Sequence, residues 1–169
     1  MAIADQLIPE FDHEASLTRQ LLARVPEEHG EWKPHEKSYS LGQLAMHIAH
    51  LPKWAQLALK ETEYDLATPD DDPGARVFDT TEGLLATFDD NIANAREGLV
   101  STPDDEMMGT WTLKMSGEVL FSMPRVAVLR SFVMNHMIHH RGQLTVYLRL
   151  RDVPLPPTYG PTADEAPEY

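Results

Sequence analysis

The sequence predicts an all-α fold: an antiparallel four-helix bundle with a short β-hairpin before its last helix and an extended C-terminal tail. Three observations carry that prediction. A chain of 169 residues with 42% hydrophobic content is long enough for one core, so residues 1–169 read as a single domain. Pro and Gly divide it into four stretches of helical periodicity, and with no cysteine it has no disulfide staples. Four amphipathic helices of about 20 residues bury their apolar stripes most simply against one another.

The first helix is expected from about Asp5 to Val25, where Leu7, Phe11, Ala15, Leu22 and Val25 recur at helical spacing before Pro26. The second opens at Ser40, with Gln43 three residues on in the capping-box pattern, and carries Leu44, Leu51, Ala55 and Ala58 toward Lys60. Pro52 has no N–H to give the Ile48 carbonyl, so a kink is expected near His50 to Pro52 if the helix continues to Lys60. The Asp- and Pro-rich stretch Asp65 to Arg76 reads as a surface loop. A third helix is expected over Thr81 to Val100 through Leu85, Phe88, Ile92, Ala95 and Leu99.

Between Met107 and Met123 the period changes to two. Trp111, Leu113 and Met115 alternate with polar residues, Ser116-Gly117 supplies a turn, and Val119, Phe121 and Met123 resume the alternation, which predicts the hairpin. The fourth helix follows Pro124 to about Arg151, striped by Val126, Leu129, Val133, Met137, Leu144 and Leu148. Five prolines make the tail, Val153 to Tyr169, run extended.

Composition also bounds function. A formal charge of −13 repels phosphate backbones and anionic leaflets, which argues against nucleic-acid and membrane partners. No apolar run reaches membrane-spanning length and the start lacks a signal-peptide pattern, so a cytoplasmic protein is expected. Without cysteine, the metal ligands available are His, Asp and Glu, and no thiol nucleophile belongs to the chain. Nucleophile-elbow, P-loop and dinucleotide fingerprints are missing from the sequence.

Of eight histidines, His13, His29 and His35 fall on polar faces or connections and read as solvated. His136 and His140 lie about 40° apart around the fourth helix and about 6 Å apart along it, so both rings can face one ion. His140 is expected near the middle of the stripe and His136 near its edge. His47 sits on the second helix's stripe between Leu44 and Leu51, and a neighbouring helix about 8–10 Å away brings it within reach of the same ion. Three imidazoles leave a divalent ion an open position, as catalytic sites require. His139 and His50 lie beside their stripes and remain alternative ligands or rim groups. Asp89 and Asp90 read as solvated acids, and the eight methionines as core filler.

Three segments then resemble the DinB family, of the DinB/YfiT-like superfamily. They are Trp32 to Ser38, Ser40 to Ala49 and, most specifically, Asn135-His136-Met137-Ile138-His139-His140-Arg141-Gly142-Gln143-Leu144. Tyr147 to Arg149 and Pro154 to Pro161 are also similar. The resemblance implies a four-helix bundle, commonly a homodimer, that holds a divalent metal through His47, His136 and His140. Related activities include thiol S-transfer with low-molecular-weight thiols and maleylpyruvate isomerisation.

The leading expectation is therefore a metal-dependent transferase of the thiol S-transferase type acting on a small molecule, with zinc as the first choice of ion and nickel the second. Arg141, Gln143 and His139 are candidates to orient ligands or substrate. A metal-dependent hydrolase and a non-catalytic metal-binding stress-response scaffold are the alternatives.

Overall fold

Residues 2–67 and 77–166 are described by the computed structural model, which is 58% helical and carries a small three-stranded sheet. Helix α1 spans Ile3–Leu22, α2 Leu41–His50, α3 Lys53–Lys60, α4 Thr81–Ser101 and α5 Asp104–Met107. Strand β1 is Glu63–Asp65, β2 Thr110–Met115 and β3 Glu118–Pro124. The last helical stretch runs as α6 Arg125–Val128, a π-helical turn Leu129–Met134, and α7 Asn135–Arg149. Helix α1 packs on α4 and α7, and α2 packs on the same two helices.

The predicted elements are recovered with three corrections. First, the class is mainly helical and not all-α. The hairpin forms where alternation places it, and β1 adds to it in parallel, pairing Tyr64 with Leu113. Three residues are too short for a periodic signal, so this strand exists through its tertiary partner. The Asp65 carboxylate then accepts N–H bonds from Ser116 and Gly117 at 2.9 and 2.7 Å, tying β1 to the turn. That turn has φ of 51° and 84° at its two central residues, the left-handed pair that a two-residue hairpin needs. Most of the loop expected over Asp65 to Arg76 lies outside the described residues.

Second, Pro52 ends one helix and begins another. The Leu51 N–H reaches both His47 and Ile48 carbonyls at 3.2 Å, tightening the close of α2, and α3 starts at Lys53. The Ser40–Gln43 capping box is present, with Oγ of Ser40 accepting from the Gln43 N–H at 3.2 Å.

Third, the π turn resets the face of the last helix. A π turn takes up one more residue than an α turn, which rotates the succeeding residues by about 100° relative to a regular helix. The buried positions of α7 are accordingly Met137, Arg141, Leu144 and Leu148, with Arg141 where His140 was expected. In α4 the buried stripe is Leu84, Phe88, Ala95 and Leu99, and Leu85 is half-buried beside it.

Leu44, Ala45 and Ile48 of α2 share one apolar cluster with Met137, Leu144 and Leu148 of α7. A second cluster joins α1, α3, α4 and the π turn, and a third seats the sheet through buried Trp111 and Leu113. The described tail forms no helix or strand, as its prolines dictate. It nevertheless folds back on the helices: Asp164 accepts the Leu155 N–H at 2.9 Å, and Glu165 pairs with Arg24 at 2.7 Å. Residues 167–169 lie outside the described residues. No described helix is long and apolar enough to cross a membrane.

Candidate metal centre

The contact of α2 with α7 brings His47 beside His136 and His140. Their ring centroids are 5.3 Å apart for His47 and His136, 4.6 Å for His47 and His140, and 4.7 Å for His136 and His140. One nitrogen of each lies within 4.8 Å of the corresponding atoms of the other two, so the triad could hold a metal ion. Three imidazole nitrogens are a donor set that suits a borderline divalent ion such as zinc, with bonds of ~2.0–2.1 Å.

All three rings are half-buried, and those of His136 and His140 lie on the flank of α7, not at the middle of its buried stripe. Burial is the main reason that His136 and His140 are held below the ordinary histidine pKa, and the neighbouring histidines add to it. Opposing this, a hydrogen bond to the Phe132 backbone favours the charged form of His136, and one to Gln143 favours that of His140. The net depression keeps these two imidazoles neutral near pH 7, the state in which their nitrogens can donate to a metal.

Gln143 also fixes a ring. Its Oε1 lies 2.8 Å from Nδ1 of His140, and an amide oxygen can only accept, so Nδ1 carries the proton and Nε2 keeps its lone pair. The Gln143 Nε2 in turn donates to Nε2 of His139 at 3.1 Å. His139 is thus an exposed outer neighbour, in ring contact with His140 at 5.0 Å but outside the triad. His50 gives its Nδ1–H to the Met46 carbonyl at 2.8 Å and also stands outside the triad.

Arg141 departs from its expected place. It is 3% exposed and turned toward α1, where it pairs with Glu14 at 2.7 Å. The Tyr159 hydroxyl accepts from Arg141 at 2.6 Å and donates to the Glu14 carboxylate, so the tail closes this network. A Glu and an Arg lying on otherwise apolar faces were its signal in the sequence.

The remaining expected residues stay apart from the triad. His13 and His35 are exposed, and His29 contacts Arg151 at 3.3 Å. Asp89 forms a half-exposed pair with Arg19, and Asp90 is exposed.

Two hollows meet the triad, and the sequence did not single out most of their walls. One, of about 300 Å³, is bordered by His47, Tyr39, Glu31 and Phe78. The other, of about 490 Å³, is bordered by His140, Gln143, Tyr39 and Lys37. Phe78 packs so closely over Gly30 and Gly42 that a Cβ at either would fall 2.7 or 2.6 Å from it. Close glycines facing one aromatic ring are a signal that only the tertiary contact makes readable.

Comparison with known proteins bears on the family and the fold. The model of the DinB family matches residues 1–168. The uncharacterized protein YrdA of Bacillus subtilis (strain 168) is 25% identical over 164 residues, covering 95% of this chain and 90% of that protein. The uncharacterized protein YjoA of the same organism is 24% identical over 152 residues, covering 88% and 91%. Among solved structures, a DinB-like protein of Bacillus cereus ATCC 10987 aligns with a TM-score of 0.69 at 19% identity, covering 94% of this chain and 98% of that one. The DinB-like protein YjoA of Bacillus subtilis aligns with a TM-score of 0.71 at 22% identity, covering 91% and 96%.

Proposed function

We propose, since this chain belongs to the DinB family, that His47, His136 and His140 hold one divalent ion, zinc first and nickel second, in a transferase acting on a small thiol. The observation that carries the reading is the convergence of three half-buried imidazoles from two helices beside hollows that admit a small molecule. The four helical segments are read as the sides of an antiparallel bundle, and the protein as a cytoplasmic homodimer. Its charge of −13 favours a small substrate over nucleic acid or an anionic membrane.

When bound, such an ion lowers the pKa of a thiol and makes it nucleophilic at neutral pH. The chain holds no cysteine, so the reacting sulfur would arrive with the substrate. The residues of the chain supply position: Gln143 sets the His140 tautomer, Phe132 holds His136, and Tyr39 stands with its ring 5.8 Å from that of His47. Against a purely structural ion stands the apolar cluster already shared by α2 and α7, which joins the two helices without one.

Metal content per chain of untagged protein tests the ligand set. About one equivalent is expected, with most of it lost in His136→Ala; equal content in both proteins would defeat the proposal. Removing the ion should abolish turnover while leaving far-ultraviolet circular dichroism largely unchanged, and a collapse of helicity would instead support a scaffold.

A further inference from the structure

We propose that the ligand of this site is a zwitterion: its cationic group lies in the hollow bordered by Glu31, and its anionic group in the hollow bordered by Lys37. The inference rests on the reading of the triad as the place where the ligand's sulfur binds, and it adds the charge pattern that surrounds that atom.

The two hollows share Tyr39 as a wall, and each opens on a different histidine, one on His47 and the other on His140. Those two rings are 4.6 Å apart, so the triad lies at the junction and a molecule anchored there reaches into both sides. Apart from the histidines, each hollow has one charged side chain among its lining residues, Glu31 on the first side and Lys37 on the second. Neither side chain is in an ion pair among the described residues, so each can take up an opposite charge from a ligand.

The Lys37 side opposes the charge of the molecule as a whole. A net charge of −13 discourages anions from approaching most of the surface, and a lysine bordering a recess locally reverses that field. Gln143 adds neutral hydrogen-bonding capacity on the same side, which suits a carboxylate. On the Glu31 side, Val77 and Phe78 provide an apolar surface, and Phe78 lies against Gly30 and Gly42. A carboxylate beside such a surface discriminates for an ammonium group and against a second acid. The matching molecule has an amine, a sulfur and an acid in that order, as a small peptide with an N-terminal cysteine does.

Isothermal titration of zinc-loaded protein with the dipeptide Cys-Gly tests this, with metal content checked after each titration. N-acetyl-Cys-Gly removes the positive end, Cys-Gly amide removes the negative end, and Ser-Gly removes the sulfur. Each blocked end should weaken binding about two- to five-fold, the range for solvent-exposed charge pairs. N-acetylation should lose its effect in Glu31→Gln, and amidation should lose its effect in Lys37→Gln. If all three thiols bind equally to wild type, or if the penalties persist unchanged in those variants, the zwitterion assignment is overturned while sulfur binding stands. If Ser-Gly binds as tightly as Cys-Gly, the sulfur reading beneath it fails as well.

Discussion

Replacing Arg141 with Met should destabilise the protein by about 3–4 kcal/mol, a loss typical of removing one partner from a buried ion pair. That magnitude comes from the contacts of the guanidinium. It is 3% exposed, its partner Glu14 has a side chain 7% exposed, and their nearest atoms are 2.7 Å apart. It also donates to the Glu14 backbone carbonyl and to the Thr18 hydroxyl, each at 3.2 Å. Without it, the Glu14 carboxylate keeps the Tyr159 hydroxyl as a donor at 2.8 Å, which holds the cost toward the lower end of the range. With a urea m-value of about 2 kcal/mol/M, the loss moves the midpoint down by about 1.5–2 M. Circular dichroism during urea titration reads it directly. Adding Glu14→Leu to Arg141→Met removes the orphaned charge and should recover at least half of the loss, because residues of one network are not additive. A single variant within about 1 kcal/mol of wild type, or a double variant weaker than the single one, would refute the reasoning.

Gln143→Leu removes the acceptor that fixes the His140 tautomer, so metal affinity should fall about 10- to 100-fold in a competition with a chromophoric chelator, with helicity unchanged. In metal-free protein, His136 and His140 have folded pKa values below the ordinary 6.5, so the unfolded chain binds protons first as pH falls. Their contribution makes the urea midpoint drop from about pH 7.5 through about 6.5 and level off below the folded values. His136→Ala/His140→Ala should flatten that slope, and an unchanged slope would count against it. Gly42→Ala places a Cβ 2.6 Å from that of Phe78 and should cost about 1–3 kcal/mol by overpacking, with a measurable change in ligand binding on the Glu31 side; a neutral variant would contradict that contact.

The triad was legible because an i,i+4 pair and a capping-box helix are local patterns. His136 and His140 meet at a spacing that any α-helix enforces, and Ser40 with Gln43 marks where α2 begins and hence where His47 stands on it. The hairpin was legible for the same reason, since alternation and a Ser-Gly turn are read within one short segment. Arg141 is misplaced by a helical wheel because the wheel assumes a constant turn. The π segment over Leu129–Met134 breaks that assumption, exchanging His140 for Arg141 on the buried face.

Periodicity, caps and prolines act between residues a few positions apart, so helix locations, the hairpin and the His136–His140 pair follow from the order of amino acids alone. Packing decided the rest. Strand β1 exists because β2 lies beside it, Arg141 is satisfied by Glu14 and Tyr159 from opposite ends of the chain, and Tyr39 and Phe78 line hollows only because α2 is where it is. Interactions between groups separated by 127 positions, as Arg141 and Glu14 are, carry no spacing rule, and their geometry arises only when the helices have met.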